Sequence, residues 1–450
     1  LNADFFNDWC HSTIGDVCDP PQYGWTTSAC ESGKIKLLRT TDITSGSLNW
    51  DSVPFCKETP KEIEKYQLHI GDIVISRAGS VGFSYLIENI EPAVFASYLI
   101  RFRPKSYIDS KFFAYYLKSP NYWNAISENK LGIAIPNVNA SKIKTIPFTY
   151  PKLSEQKEIV AKIDELFSQL DAAEAALKRA RANLKRYRQS VLQVAVTGEL
   201  TGDNEYTDSS EKLLLQLWKL RDKKVPNTQF VLENLPALPK GWCWVSIEQV
   251  IKNNKHALKA GPFGSSLKKE FYKETGYKIY GQEQVIKGDP YYGDYFIDVG
   301  LYRDLYSCRV EPGDILISLV GTIGKVLILP EDMQPGIINP RLVKVSVESQ
   351  VINSEYLKIY LESKSAKDFF SITSHGQTMD VLNLGILKKL PIPLPPLEDQ
   401  IKIIDQVLSI NTFTDEIDKV IEKNLLRIKK LRQSILTLAF SGNLIIRNFI

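Results

Sequence analysis

Apolar residues recur at four-three spacing through two long stretches of the chain. In the first, Ile159, Ile163, Leu166, Leu170, Ala173, Leu177, Ala180, Leu184, Tyr187, Val191 and Val194 share one helical face, and no glycine or proline intervenes between Pro151 and Gly198. The second keeps the register as Ile403, Val407, Ile410, Thr414, Ile417, Ile421, Asn424, Ile428, Leu431, Ile435 and Leu438, with Thr414 and Asn424 as polar interruptions. Such a seam predicts two long helices that pair as a coiled coil. At 1.5 Å per residue, a helix of roughly 40 residues is about 60 Å long, enough to hold two globular domains apart. Charge predicts the direction of pairing. The first stretch is mostly acidic early (Asp164, Glu165, Asp171, Glu174) and basic late (Lys178, Arg181, Lys185, Arg186, Arg188), and the second repeats that polarity from Asp415, Glu416, Asp418 and Glu422 to Arg427, Lys429, Lys430 and Arg432. Parallel helices would align like charges, whereas antiparallel ones set each basic half against the other's acidic half and suit the helix dipoles.

Elsewhere the pattern changes to short β runs broken by Gly, Pro, Asn and Asp: KIKLL (34–38), DIVIS (72–76) and AVFASYLIRF (93–102), then a helical stretch SKFFAYYLKS (110–119) before Pro120. The same order returns as YKIYG (277–281), DILIS (314–318), RLVKVSV (341–347) and SEYLKIYLES (354–363). Residues 146–202 recur without a gap at 390–446, IPFTYPKLSEQ as LPIPLPPLEDQ and KRYRQSVLQVAVTGEL as KKLRQSILTLAFSGNL. The chain is an internal tandem repeat. The expected class is α+β: two mixed α/β domains with substantial β content (1–150 and 239–394), two long helices (151–200 and 395–446), and a linker (201–238) with a short helix capped near Ser209 or Ser210. GDIVISRAGSVG (71–82) and GDILISLVGTIG (313–324) each place a Gly-Asp turn before a buried strand and a glycine-rich bend. Neither is a phosphate loop, because Val326 follows Lys325 and Phe83 stands in place of that lysine in the first copy.

At 450 residues with 44% hydrophobic content, the chain can bury several cores, at roughly 150 residues per domain. A net charge of +4, from 56 basic and 52 acidic residues, is too mild to imply a nucleic-acid partner by itself. Six cysteines without a CxxC pair argue against a zinc ribbon or thioredoxin-like site and for free thiols in the cytoplasm. No run approaches the ~18 apolar residues of a membrane span, so no membrane partner is expected. DPPQY (19–23) has glutamine where an amino-methyltransferase motif needs an aromatic ring, NPRL (339–342) fails likewise, and the four histidines form no HExxH pair. No catalytic group, metal or cofactor is expected.

Taken together, these segments resemble type I restriction-modification specificity subunits. The carriers are IPFTYPKLSEQKEIV and LPIPLPPLEDQIKII, RQSVLQVAVTGEL and RQSILTLAFSGNL, LPALPKGWCWVSI (235–247), LLRTTDI (37–43) and GDIVISRAGSVG, and they span nearly the whole chain. The resemblance implies a non-catalytic protein with two target recognition domains. Each would read one half-site of a bipartite target in double-stranded DNA, with two modification (methyltransferase) subunits and restriction (translocase/endonuclease) subunits as partners. It also implies docking surfaces near 153–160 and 397–404. Leu319 opposite Arg77, and residues 378–380 opposite 134–136, depart from strict repetition, as expected if the halves read different bases.

Base reading calls for paired donors and acceptors on loops. The candidates are Tyr23, Thr26, Arg39, Thr41, Asp42 and Arg77 in the first half. In the second they are Lys259, Ser265, Ser266, Lys268, Lys269, Gln282, Glu283 and Gln284, of which Gln282, Glu283 and Gln284 match Thr40, Thr41 and Asp42. Tyr291, Tyr292, Tyr295 and Phe296 read as packing aromatics. The competing reading is a coiled-coil interaction scaffold without sequence-specific DNA binding, which salt-sensitive, sequence-specific duplex binding would exclude.

Overall fold

The computed structural model describes residues 9–89, 91–128, 138–201, 209–226, 235–263, 266–320, 324–374 and 382–444. The chain divides into a first unit, Leu1–Arg179 with Ile421–Ile450, and a second unit, Ala180–Val420.

In the first unit, Cys10–Thr13 pairs antiparallel with Pro147–Tyr150, so the mixed domain closes on itself just before the first long helix. An antiparallel sheet follows the order Gln22–Tyr23, Leu99–Phe102, Ile73–Ser76, Ser84–Leu86. A second sheet runs Ala29–Cys30, Phe55–Cys56, Lys36–Leu38, Ala93–Phe95, its last pair parallel with Lys36 opposite Ala93. The second unit repeats this plan. Cys243–Val245 pairs with Ile392–Leu394, and one sheet runs Leu258–Ala260, Leu342–Val345, Ile315–Ser318, Val326–Ile328. The other runs Phe296–Ile297, Tyr277–Tyr280, Gly336–Ile338, with Lys278 opposite Gly336 in the parallel pair.

The central strands IVIS and ILIS are continuously apolar because both of their faces are covered. Ile73 and Ile75 enter one core cluster and Val74 another; Ile315 and Ile317 likewise part from Leu316. The run AVFASYLIRF is two strands in two different sheets, with a corner at residues 96–98. Burial on both sides of that corner hides it from a hydrophobicity pattern.

The long helices span Leu153–Thr197 and Leu397–Phe440. Each enters its domain through a fully buried glutamine in the first turn. Gln156 accepts from the Asp109 amide at 2.8 Å and donates to the carbonyls of Tyr107 and Pro151 at 3.1 and 2.9 Å. Gln400 does the same for the Asn353 amide (2.7 Å) and the carbonyls of Val351 and Pro395 (both 2.9 Å). Asp109 and Asn353 cap the helices Ser110–Tyr116 and Ser354–Glu362, so the clamp ties one helix start to another.

Antiparallel pairing is visible inside each unit. In the first, Arg432 bonds Asp171, lies 3.6 Å from Glu174 and covers the Phe167 ring at 5.1 Å. In the second, Arg181 pairs with Asp418 at 2.8 Å and Arg188 with Asp415. Exposed pairs contribute about 0–1 kcal/mol each, so they select direction more than they stabilise. The second helix keeps its seven-residue seam, with Ile403, Val407, Thr414, Ile421, Ile428 and Ile435 buried. The first does not: Ala173, Ala180 and Tyr187 are exposed, whereas the neighbouring Glu174 and Arg188 are half-buried. A straight α-helix drifts about 20° per heptad against a 3.5-residue repeat, so a seven-residue register in the sequence does not keep one stripe buried along the whole helix.

Both helices finish the cores they touch. Ile159, Ile163, Ile435, Ala439 and Phe440 join Phe112, Phe113 and Phe148 in the first unit, and Val191, Ala195, Ile403 and Val407 join Tyr356 and Tyr360 in the second. The linker helix Ser210–Leu220, capped by Ser209, buries Leu214, Leu217 and Trp218 in that second core.

Replacing Gln400 by leucine strands two buried carbonyls and one amide, and is expected to lower the stability of the second unit by about 2–4 kcal/mol. Thermal melting would show this as a fall of several degrees, against less than about 0.5 kcal/mol for Lys423→Ala on an exposed face of the same helix.

Candidate nucleic-acid interface

The bend that follows each central strand is built from the same parts in both units. Asp72 and Asp314 are buried in the Gly-Asp turns, where Gly71 and Gly313 take φ of +90° and +79°. Asp72 accepts from the His69 amide at 2.9 Å and holds Arg103 through two bonds of 2.7 and 3.1 Å. Asp314 accepts from the Glu311 amide at 2.8 Å, bonds Ser346 and lies 3.5 Å from Lys344. These carboxylates are structural; a buried acid left without such partners would cost several kcal/mol. Lys36 and Lys278, buried at matching places in the parallel pairs, tie down neighbouring loops. Lys36 donates to the Trp50 carbonyl and pairs with Glu91 at 3.0 Å, while Lys278 donates to the carbonyls of Tyr291 and Gly293 at 2.9 and 3.1 Å. Burial pushes the Lys278 ammonium below the ordinary lysine value, with Asp294 and Asp289 opposing.

Two glycines draw the edge loop in beside the bend. A Cβ on Gly24 would stand 2.2 Å from the Ala96 carbonyl oxygen, and one on Gly261 would stand 1.9 Å from that of Asn339. Only glycine permits that approach. In the first unit it brings Tyr23 beneath Arg77, whose guanidinium lies 4.9 Å from the ring centroid. The Tyr23 hydroxyl accepts from the Ala140 amide at 2.9 Å, at the start of a helix capped by Asn139, which fixes the ring. The Arg77 amide donates to the Tyr98 carbonyl at 2.9 Å, and the Tyr98 side chain is 62% exposed beside it. Arg77 Nε is buried and makes no hydrogen bond among the described residues, nor does the Thr40 hydroxyl. The cation is thus oriented by stacking, with no carboxylate paired to it among the described residues.

At the matching place in the second unit Leu319 is buried, and Gln282 takes the position of Thr40. Its amide donates to Ser318 Oγ at 3.0 Å and to the Val320 carbonyl, which leaves its own carbonyl oxygen as an acceptor. Asp42 and Gln284 instead serve as helix caps, accepting from the amides of Arg39 (2.8 Å) and Gly281 (2.9 Å). Arg39 is held by Asp42 at 3.1 and 2.7 Å, a hydrogen bond that raises the guanidinium above its ordinary value. Thr41 and Glu283 are exposed in the first turns of those helices, and Thr26 is exposed in the edge loop.

Lys259 is half-buried in the strand Leu258–Ala260, opposite Lys344. Ser266, Lys268 and Lys269 are exposed, with Lys268 3.2 Å from Glu270; Ser265 lies outside the described residues, as do 134–136 and 378–380. Tyr23 and Arg77 are therefore brought together, Gln282 reaches the bend from a neighbouring helix, and the Lys268 loop stands on a separate segment. Sequence inspection missed Tyr98, although a tyrosine inside an otherwise buried run, at a corner between strands, marks such an exposed ring. It also assigned Tyr291, Tyr292 and Tyr295 to packing. They are substantially exposed and make local contacts: Tyr291 with Asp332, Tyr292 under Lys287 at 3.2 Å, and Tyr295 with Tyr272 at 5.7 Å.

Among the described residues, no group of three or more His, Cys, Asp or Glu converges as a metal site, and no helix is long and apolar enough to cross a membrane.

The family profile of the type I restriction modification DNA specificity domain matches residues 7–180 and again 239–427. The chain is similar to the type I restriction enzyme EcoBI specificity subunit of Escherichia coli, 27% identical over 421 residues that cover 91% of this chain and 80% of that protein. It is also similar to the EcoKI specificity subunit of Escherichia coli strain K12, 26% identical over 431 residues that cover 91% and 82% respectively. Of the solved structures, a chain from work on complex assembly and conformational transition of the type I R-M system aligns with a TM-score of 0.67 at 17% identity, over 97% of this chain and 98% of that one. The HsdS subunit from Thermoanaerobacter tengcongensis aligns with a TM-score of 0.54 at 18% identity, over 97% of each chain. At such identities the two structures speak for the fold alone, and the match of both halves to one profile carries the assignment. The chain belongs to the type I restriction modification DNA specificity family and, with two of its domains, is the specificity component of a type I restriction-modification system.

Proposed function

We propose that the chain recognises a bipartite target in double-stranded DNA, one half-site per recognition domain (1–150 and 239–394), and recruits modification and restriction subunits to it in the cytoplasm. The observation that carries this reading is one topology present twice, with different side chains at the matched bends: Arg77 on Tyr23 in one copy, Leu319 and Gln282 in the other. Duplicated scaffolds with unlike tips suit two unlike half-sites. The base-facing surface in the first domain is Tyr23, Thr26, Thr41 and Arg77, with Arg39 and Asp42 positioning the helix start. In the second it is Lys259, Ser266, Lys268, Lys269, Gln282 and Glu283, with Gln284 as the cap, and Ser265 is assigned to DNA contact from its place in the sequence alone. The relatives are named specificity subunits of restriction enzymes, which suits a component that selects DNA and leaves the chemistry to its partners.

Co-expression with the modification subunit, followed by single-molecule mapping of methylated adenines across the host genome, tests the proposal. A split motif with a fixed unread spacer is the expected result; an assembled complex that methylates no such motif would leave the coiled-coil scaffold.

Arg77→Ala is expected to relax recognition at a position in one half-site only, by about 1–3 kcal/mol or roughly 5- to 150-fold in affinity, which the same mapping reads directly. Equal weakening across all sequences would assign Arg77 to the DNA backbone instead. If the paired helices set the half-site spacing, deleting one heptad from each shortens them by ~10 Å, about three base pairs at 3.4 Å each, and the mapped spacer should contract accordingly.

A further inference from the structure

A cavity of about 580 Å³ opens between the late turns of the first long helix and the helix Lys364–Ser374, both within the second unit. Lys185 and Arg186 line one wall, and Lys364 and Lys367 line the other, with Asp368 as the carboxylate among them. The walls are bolted together. Gln193 donates to Ser365 Oγ at 2.8 Å and accepts from the Ser365 amide at 3.1 Å, and Lys367 donates to Gln189 at 2.8 Å. The side chains of Lys185, Arg186 and Lys364 make no ion pair or hydrogen bond among the described residues. Burial, with Lys325 and Lys185 adding like charge, holds Lys367 below the ordinary lysine value, and Glu362 opposes.

The first repeat shows what this place looks like without such charge. Lys364 and Lys367 correspond to Pro120 and Trp123, and Lys325 corresponds to Phe83. There Phe83 and Trp123 pack edge to face with ring centroids 5.3 Å apart. A packing pair in one copy is a like-charged pair in the other. The Glu362 carboxylate lies close enough to both Lys325 and Lys367 to offset their repulsion, so the charge left unbalanced at the cleft is that of Lys185, Arg186 and Lys364. The cleft also adjoins the recognition bend: a Cβ on Gly324 would stand 3.2 Å from Phe370 of the same helix. Where the first bend carries Arg77, the second carries buried Leu319, and positive charge returns beside it through Lys325 and Lys367.

We propose that this cleft binds phosphodiester groups of duplex DNA and so anchors the second half-site through its backbone, apart from the residues that read bases. The proposal rests on the DNA-recognition reading above. Cations on long flexible stems, spread over two helices around a cavity, suit a phosphate chain better than a flat protein surface.

The test uses the chain assembled with its modification subunits and titrated against fluorescent duplexes, with and without the mapped target, from about 0.05 to 0.3 M salt. In the K364Q/K367Q variant, target and non-target duplexes should both bind roughly 5- to 20-fold more weakly at about 0.15 M salt. The slope of log K against log salt should become shallower by about two, and the methylated motif should not change. K185Q/R186Q, on the opposite wall, should act in the same direction, and K364R/K367R should restore binding. An unchanged slope in an intact complex that still prefers its target overturns the phosphate site alone. Loss of subunit assembly with an unchanged slope assigns the cleft to a protein partner and also overturns it. A parent complex with no target preference at any salt overturns the DNA-recognition reading itself, and this site with it.

Discussion

An apolar stripe on a helix is stable only where something covers it, and on the 45-residue first helix the buried positions lie at its two ends. Here each long helix gives its two ends to two different cores. The first lends Ile159 and Ile163 to one and Val191 and Ala195 to the other; the second lends Ile403 and Val407 to one and Ile435 and Ala439 to the other. Antiparallel direction follows, since only then do the opposite ends of the two helices meet beside the same domain. The buried glutamines fix where each helix leaves its own domain. By satisfying an amide and two carbonyls at the mouth of each helix, Gln156 and Gln400 turn a chain crossover into a fixed joint.

The repeat separates scaffold from surface. Positions whose chemistry the backbone demands are the same in both copies: Asp72 and Asp314, Lys36 and Lys278, Ser76 and Ser318, Gly24 and Gly261. Each either satisfies a buried polar group or vacates space for a carbonyl. Positions at the bends differ: Arg77 against Leu319, Thr40 against Gln282, Phe83 against Lys325, Trp123 against Lys367. A duplicated chain thus carries its own control, because what two copies share under one fold is what folding requires, and what they do not share is free for recognition.

Much of the fold was legible in the residues. Heptad spacing and charge polarity were enough for two antiparallel helices, and the Gly-Asp turns located the central strands. The Ser209 cap was legible because a serine ahead of an amphipathic run is a local signal. Other features were not local. The seam drifted off Ala173, Ala180 and Tyr187 because a straight helix does not keep a seven-residue period, and the corner at 96–98 was masked by burial on both sides. At the candidate interface, Asp42 and Gln284 were legible as polar loop residues, but their capping bonds depend on backbone geometry that a sequence does not display. Arg77 over Tyr23 joins residues 54 positions apart through the approach of Gly24 to Ala96, a contact with no linear signature.

Because the core of the first unit includes Ile435, Ala439 and Phe440, the domain made first is completed last. When Arg179 leaves the ribosome, the remainder of that unit, from Ile421 onward, is still some 240 residues from being synthesised. At roughly 5–20 residues per second that is a wait of about 10–50 s, during which Phe112, Phe113 and Phe148 face an unfilled gap. The second unit is contiguous from Ala180 to Val420 and suffers no such delay. Synthesis therefore treats two units of one plan unequally: the core of the first closes only through contacts of long sequence separation, while that of the second is complete once its own contiguous residues are made.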